Sequence, residues 1–415
     1  MPGLFGTDGI RGVAGEPPLD PRTIYAVGCA VAEFLRGRGL RGKVLLGEDT
    51  RESSPWITRY LAAGLEARGA QAISAGVLPT AGIAQLVRAN NFPAGVMVSA
   101  SHNPYRDNGI KLIATTGTKF PDETEAIIEE QIHAFLREGA PAEPAPPPTD
   151  LGLAGTYRDW LRQQAGGDLR RLRLVVDCAN GAATKVAPAV FGSLGAAVTP
   201  IHAAPDGRNI NADCGALHPE SLRKKVLEVG ADLGAAFDGD ADRAIFVSPG
   251  GKIVDGDGVL WVCAHWLKDN GKLKTNTVVG TVMANLGLEV ALRRAGLALV
   301  RTPVGDRYVL EEMQRRGANL GGEQSGHIIF LDDAPTGDGI LTVLKLCSIL
   351  RATGKTLDAL VADLKPFPQV LVNVRVREKI PFEQLPTVRQ AIEQATAMLG
   401  ERGRVLVRYS GTEAL

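Results

Sequence analysis

Residues 43 to 80 read KVLLGEDTRESSPWITRYLAAGLEARGAQAISAGVLPT. The stretch opens on an apolar strand pattern and passes through a polar turn. It continues as a helix with apolar residues three or four apart, stops at Arg68-Gly69, and resumes as a second strand that runs to Pro79. That order of periods is a βαβ unit, which needs a parallel pair of strands with a helix packed across them. The same plan recurs in RLVVDCANGAATKVAPAVFGSLGAAVTPIHAAPDG from Arg173 and in TVVGTVMANLGLEVALRRAGLALVRTPVGD from Thr277. Three copies argue for three related α/β domains rather than one large sheet.

Working outward, the breaks fall between the copies. REGAPAEPAPPPTDLG, residues 137–152, is the most proline-rich stretch and reads as a stiff linker. SPGGKIVDGDG, residues 248–258, is a weaker break, and LKPFPQV, residues 364–370, leads into a tail that alternates strand (VLVNVRV), helix and strand (RVLVRYS). The expected division is domain I over 1–150, domain II over 151–254, domain III over 255–366 and a small α+β domain IV over 367–415. The fold class is therefore α/β: three related α/β/α domains with mixed, mostly parallel sheets plus the small C-terminal module, which the family resemblance given below implies to stand around a central cleft.

The 415 residues exceed one ordinary core, which agrees with several domains. Lysine plus arginine equals aspartate plus glutamate at 46 each, so no global field draws the chain to nucleic acid or an anionic membrane. No apolar stretch approaches the ~18 residues needed to span a bilayer. The start, MPGLFGTDGIRG, lacks the basic and apolar regions of a secretory leader, so a cytoplasmic location is expected. Five cysteines, Cys29, Cys178, Cys214, Cys263 and Cys347, lie in unrelated contexts with no CxxC spacing. That pattern supports neither a zinc site nor a disulfide framework.

Candidate chemistry lies at strand ends. GRGLRGK, residues 37–43, imitates dinucleotide and phosphate loops, but it follows a helix and precedes a strand, the reverse of the order both need. In AGVMVSASHNPYRDNGIK, residues 94–111, a buried-looking strand ends on serines beside His102, where open α/β sheets place their chemistry. In FDGDADR, residues 237–243, Asp238, Asp240 and Asp242 alternate, so extended backbone projects all three carboxylates to one side. Carboxylates so close repel unless a cation lies between them. An EF-hand is excluded because its twelfth position would be Pro249. Hard oxygen ligands with open positions suit magnesium shared with a phosphate. GGEQSGH, residues 321–327, offers Glu323 and Ser325 to sugar hydroxyls, with His327 beside them. RYSGTE, residues 408–413, offers a phosphate cradle from Arg408, Ser410, Gly411 and Thr412, and GTDGIRG could turn Arg11 toward an anion. With no nucleotide site, these parts imply a phosphoryl group passed between a serine and a sugar phosphate.

SASHNP, NGIK, DGDADR, GEQSGH and RYSGTE, in this order and spacing, resemble the α-D-phosphohexomutase family over essentially the whole chain. GTDGIRG, VDCANGAA, PDGRNINADCG, VGDRYVLE and GEQSGH resemble its amino-sugar branch. The resemblance implies an isomerase that interconverts glucosamine 6-phosphate and glucosamine 1-phosphate through a phosphoserine and a 1,6-bisphosphate, feeding UDP-N-acetylglucosamine synthesis. It places the phosphoserine at Ser101 and Mg2+ on Ser101, Asp238, Asp240 and Asp242. Arg11, His102, Lys111 and Arg243 are implied beside the reacting group, with Lys111 and His327 as candidate general bases. Glu323, Ser325 and His327 are implied at the sugar, and Arg408, Ser410, Gly411 and Thr412 at the distal phosphate. Glucosamine 1,6-bisphosphate or glucose 1,6-bisphosphate is the implied activator, hexosamine phosphates are the partners, and a homodimer is an expected assembly. The alternatives are phosphomannomutase/phosphoglucomutase activity and a non-catalytic sugar-phosphate binder. The family continues past the phosphate loop with an arginine, a strand and a helix, whereas this chain ends at Leu415, with Ala414 where many relatives carry proline. Domain IV is accordingly expected to be C-terminally truncated, with an incomplete cradle.

Overall fold

A run of five buried residues, Ala94–Val98, forms the central strand that places Ser99 to His102 at the carboxyl end of its sheet. In this computed structural model, which describes residues 3–6, 8–400 and 403–409, that strand belongs to a five-stranded sheet. Its members are β1 (Ile10–Val13), β2 (Lys43–Glu48), β3 (Gln71–Val77), β4 (Ala94–Val98) and β5 (Asp107–Ala114), in the order β1-β5-β4-β2-β3. The second sheet holds β6 (Arg173–Asp177), β7 (Ala197–Ile201), β8 (Leu233–Phe237), β9 (Ala244–Val247) and β10 (Ile253–Val254), in the order β10-β9-β8-β6-β7. The third holds β11 (Thr277–Thr281), β12 (Ala298–Thr302), β13 (Leu320–Gly322) and β14 (Ile328–Phe330), in the order β12-β11-β13-β14.

The three sheets repeat one topology. Each contains a parallel trio, β3-β2-β4, β7-β6-β8 or β12-β11-β13. The last strand of each trio then turns back into an antiparallel neighbour, β5, β9 or β14. The parallel character expected from the βαβ pattern is thus confined to the trios, and antiparallel pairs finish every sheet. That return matters for function. The turns from β4 to β5, from β8 to β9 and from β13 to β14 are the equivalent loops of three copies, and they carry Ser101, the aspartate trio and Glu323.

Local chemistry fixes the flanking helices. Asp20 caps the helix Pro21–Gly37, its Oδ1 accepting from the amides of Arg22 and Thr23, and proline at the first position suits the missing donor there. This helix crosses the helix Ser54–Ala67 at Gly28 and Gly64; a Cβ on either would stand 2.3 Å or less from backbone oxygen of the other. Only glycine permits that approach. The proline-rich stretch is tacked to the first sheet, where the Ser74 amide donates to the Pro148 carbonyl and the Ser74 carbonyl accepts from the Asp150 amide. All five cysteines are buried and free. Among the described residues, no helix is long and apolar enough to cross a membrane.

The last segment departs from its sequence reading. Its helix, Pro386–Leu399, is present, but VLVNVRV and the described part of RVLVRYS join no ladder among the described residues. Val370 is 86% exposed and Val372 73%. Strand-forming side chains give a strand only where a neighbour accepts the backbone bonds. The segment is instead tied down locally, by Asn285 to the backbone of Phe367 and by Arg404 to the carbonyls of Val282 and Ala284.

Tyr157, wholly buried, joins the domains: its ring covers Gly82 of the first and its hydroxyl donates to Asp338 Oδ2 of the third at 2.7 Å. Tyr157→Phe removes the donor and leaves a buried carboxylate oxygen short of a partner, a cost of about 1–3 kcal/mol. Thermal unfolding should show a lower midpoint in the variant; an unchanged midpoint would refute this bridge.

Candidate active site

Ser101 sits at the carboxyl end of β4 with φ +53°, a left-handed conformation that turns the chain sharply out of the sheet. Several buried groups hold it there. Its amide donates to Ser99 Oγ, which donates to Asp49 Oδ2 at 2.6 Å. Arg51, fully buried, pairs with Asp49 at 2.6 Å and donates to the carbonyls of Ser101, Asn103 and Asp107. From the second domain, Asn211 Nδ2 donates to the same carbonyls of Ser101 and Asn103, at 2.9 and 3.1 Å. Gly239 is obligatory beside them, since a Cβ there would lie 2.5 Å from the Ser101 carbonyl oxygen.

These constraints bring two distant loops together. Ser101 Oγ donates to Asp238 Oδ2 at 2.6 Å. Asp238, Asp240 and Asp242 are buried and place carboxylate oxygens within 4.8 Å of one another. Lys111 Nζ donates to Asp240 Oδ2 at 2.8 Å and lies 3.7 Å from Asp242 and 3.3 Å from Asp8. Burial alone would discharge this lysine, but the three carboxylates outweigh it and hold the ammonium charged. Burial, with Asp242 and Asp240 adding repulsion, pushes the Asp238 carboxyl well above its ordinary value. Asp242 goes the other way: Lys111, His327 and Arg243 overcome its burial and hold it ionised. Asp240 Oδ1 and Asp242 Oδ1 are buried without a hydrogen-bond partner among the described residues. Three clustered carboxylates, two orphaned oxygens and one strained proton affinity fit a hard divalent cation.

Cationic groups surround the serine. Arg243 Nη1 donates to His102 Nδ1 at 3.2 Å, and that nitrogen is 3.4 Å from Ser101 Oγ. Burial, together with Arg243 and Arg11, lowers His102 to about 4, so its imidazole is neutral near pH 7. Arg11 donates to the Ala100 carbonyl at 3.1 Å and pairs with Asp8. Glu323 is buried at the mouth of the third loop, its Oε1 accepting from the Gly305 amide at 3.2 Å, while Ser325 is exposed. His327 is buried between Asp242 (3.6 Å) and Asp306 (3.8 Å) and accepts at Nε2 from the Gly337 amide. Burial opposes its charge, yet Asp242 and Asp306 raise it to about 8. The Gly337 bond makes Nε2 an acceptor and so puts the ring proton on Nδ1, the side of Asp242.

Ser101, His102, Lys111, Arg11, Arg243 and the aspartate trio therefore converge, and His327 touches the trio through Asp242. Arg408 does not join them: it donates to the carbonyl of neighbouring Tyr409. Ser410, Gly411 and Thr412 lie outside the described residues. Sequence reasoning passed over Asp8, Asp49, Arg51, Lys119, Asn211 and Asp306. Lys119 pairs with both Asp8 and Asp306, closing a chain of alternating charges between the first and third domains. Asp8 and Asp306 lie inside quoted motifs, GTDGIRG and VGDRYVLE, and could have been flagged there. Lys119 has no local signal.

Four stretches match the phosphoglucomutase/phosphomannomutase family: residues 2–137 its α/β/α domain I, 159–251 its α/β/α domain II, 255–367 its α/β/α domain III, and 371–415 its C-terminal domain. The chain belongs to this family of phosphohexomutases and is an isomerase of the phosphomutase class. Within it, the chain is 53% identical to the phosphoglucosamine mutase of Koribacter versatilis, covering 99% of this chain and 91% of that one. It is likewise 53% identical to the phosphoglucosamine mutase of Solibacter usitatus, over 99% and 92%. Among solved structures, a phosphoglucomutase/phosphomannomutase family protein from Burkholderia thailandensis superposes with TM-score 0.75 at 28% identity, covering 87% of this chain and 79% of that one. The N-acetylphosphoglucosamine mutase of Aspergillus fumigatus, solved with GlcNAc-6P and magnesium, shares the fold at TM-score 0.65 and 20% identity, over 99% and 90%.

Two outcomes follow from the geometry. Magnesium at 100 times its Kd should stabilise the protein by about 2.7 kcal/mol, and Asp240→Asn should abolish most of that shift; equal shifts in both proteins by scanning calorimetry would exclude the trio. Arg51→Met strands Asp49 without its cation, a loss of about 3–5 kcal/mol. A denaturation midpoint like the wild type would show that Arg51 does not hold the serine turn.

Proposed function

We propose that this chain interconverts glucosamine 6-phosphate and glucosamine 1-phosphate, with Ser101 carrying the phosphoryl group between them. The observation that carries this reading is the 2.6 Å contact between Ser101 Oγ and Asp238, made across two domains inside a ring of fixed charges. The phosphoglucosamine mutases at 53% identity support the choice of amino sugar.

In the forward direction O1 of the 6-phosphate attacks phosphorus on Ser101; the O1–P bond forms, the P–Oγ bond breaks, and the proton lost by the O1 hydroxyl is returned to Ser101 Oγ. The 1,6-bisphosphate then turns over, and Ser101 Oγ takes the 6-phosphoryl group back, releasing the 1-phosphate. Arg11, Arg243 and Lys111 stay charged throughout and stabilise the charge on the transferring group. His102, neutral, presents Nε2 as a hydrogen-bond donor while Nδ1 accepts from Arg243. Asp238, Asp240 and Asp242 would hold magnesium, which when bound would supply Lewis-acid polarisation of the transferring group.

Glu323 and Ser325 bind sugar hydroxyls, and Arg408, Ser410, Gly411 and Thr412 bind the phosphate that is not reacting. Lys111, which donates to Asp240, and His327, which accepts at Nε2 from the Gly337 amide, are the candidate general bases. A 1,6-bisphosphate primes Ser101; glucose 1,6-bisphosphate occupies a serine-to-alanine variant of the Aspergillus enzyme. The same reading places the enzyme in the cytoplasm with its free hexosamine phosphates.

Intact-mass measurement after glucose 1,6-bisphosphate should show one added phosphoryl group that Ser101→Ala lacks, with activity in that variant lower by more than ~10³-fold. Phosphate release without 1-phosphate product would make the chain a phosphatase. A higher kcat/KM for mannose or glucose phosphates than for glucosamine phosphate would move it to the other branch of the family.

A further inference from the structure

A second cluster of metal-ligating atoms lies in the second domain, away from the aspartate trio. β6 and β7 are parallel neighbours with Asp177 opposite Ile201, so their carboxyl ends deliver Asp177 and the next residue, His202, to one point. Cys214 arrives there from the loop before the turn Gly215–Leu217. One carboxylate oxygen, one imidazole nitrogen and one sulfur lie within 4.8 Å of one another.

The site is built rather than incidental. Asp177 and Cys214 are buried, whereas the His202 side chain is 31% exposed and forms the mouth. Asp177 is fixed by two amides, Ala179 donating to Oδ1 at 2.9 Å and Gly215 to Oδ2 at 3.0 Å. His202 Nδ1 faces Asp177 Oδ2 at 2.9 Å, and this carboxylate raises the imidazole above its ordinary value, so a cation bound here takes the place of the proton between the two. A tetrahedral cation with bonds of ~2.0–2.1 Å separates its nitrogen and oxygen ligands by ~3.3 Å. The pair therefore stands a few tenths of an ångström from a bidentate bite. His202 also holds φ +44°.

We propose that Asp177, His202 and Cys214 form a second cation site, for a borderline-soft divalent metal of the zinc class and not for magnesium. The donor set decides the metal: one oxygen, one nitrogen and one sulfur match Zn2+, while Mg2+ takes oxygen. Binding uses the lone pair of Nδ1, leaves the ring proton on Nε2, and releases the thiol proton of Cys214 to water. Solvent reaches the fourth position past the exposed imidazole. The sequence hid this site because its ligands come from three loops with no common spacing. Asn211, which clamps the Ser101 turn, lies three residues before Cys214, so the metal would fasten the loop that positions the phosphoserine.

Cobalt titration of the full chain in excess magnesium tests the site. One equivalent should give a thiolate-to-cobalt charge-transfer band that magnesium does not displace. Cys214→Ser and His202→Gly should abolish the band and weaken Zn2+ binding in chelator competition by more than the ~10–100-fold typical of outer-shell changes. Glycine accepts the backbone at 202, so the second variant removes the ligand without strain, and unchanged circular dichroism confirms its fold. The proposal is overturned by absence of the band, by its persistence in Cys214→Ser, or by cobalt spectra of oxygen-only ligation that magnesium displaces.

Discussion

Three carboxylates, sealed from water within 4.8 Å of one another, are the constraint from which the rest of this molecule follows. Each pair repels by roughly 3–4 kcal/mol at an effective dielectric of about 20. The chain could not close its second sheet over that loop without opposite charge from elsewhere. Lys111 supplies it from the first domain, and the Ser101 hydroxyl adds a hydrogen bond to Asp238, whose carboxyl burial raises. The reactive serine and the metal loop are therefore joined by the same electrostatics that docks their domains. Apolar packing runs through all three domains as well, in one buried cluster that joins Leu45 and Ile83 to Phe191 and Phe237 and to Leu260 and Leu344.

Repetition explains how that junction is reached. In every domain a parallel trio turns back through a hairpin, and in every domain the hairpin loop carries the functional side chains. One structural solution, a loop at the carboxyl end of the last parallel strand, carries Ser101, the aspartate trio and Glu323 in turn. Helix crossings as tight as that of Gly28 on Gly64 keep the layers thin enough for the loops to meet.

The repeats, Ser101 and the aspartate trio were legible because each is local: a period, a strand end, an alternation. The pairing of Lys119 with Asp8 and Asp306 was not, because it exists only after the first and third domains are apposed, and a lone lysine in TTGTKF carries no sign of it. Arg51 and Asn211 escaped for a related reason. They act on backbone carbonyls, and a carbonyl leaves no mark on sequence. The tail failed in the opposite sense. Val370, Leu371 and Val372 have strand chemistry, yet propensity describes a side chain's fit to a pleated, half-covered surface, and these residues are largely exposed.

A mutase that receives its substrate in two orientations needs a site whose charge does not change when the sugar turns. Groups that titrate near neutrality would make one half-reaction depend on protons left by the other. The cationic groups and His102 beside Ser101 avoid this. Lys111 is locked as an ammonium by its carboxylates, the arginines are permanently charged, and His102 is driven to the neutral form by burial and by the arginines beside it. The field at the serine is thus fixed by the fold before substrate arrives, and both transfers meet the same preorganised surroundings. Burial, which makes the aspartate trio costly, is also what lets those fixed charges act at full strength.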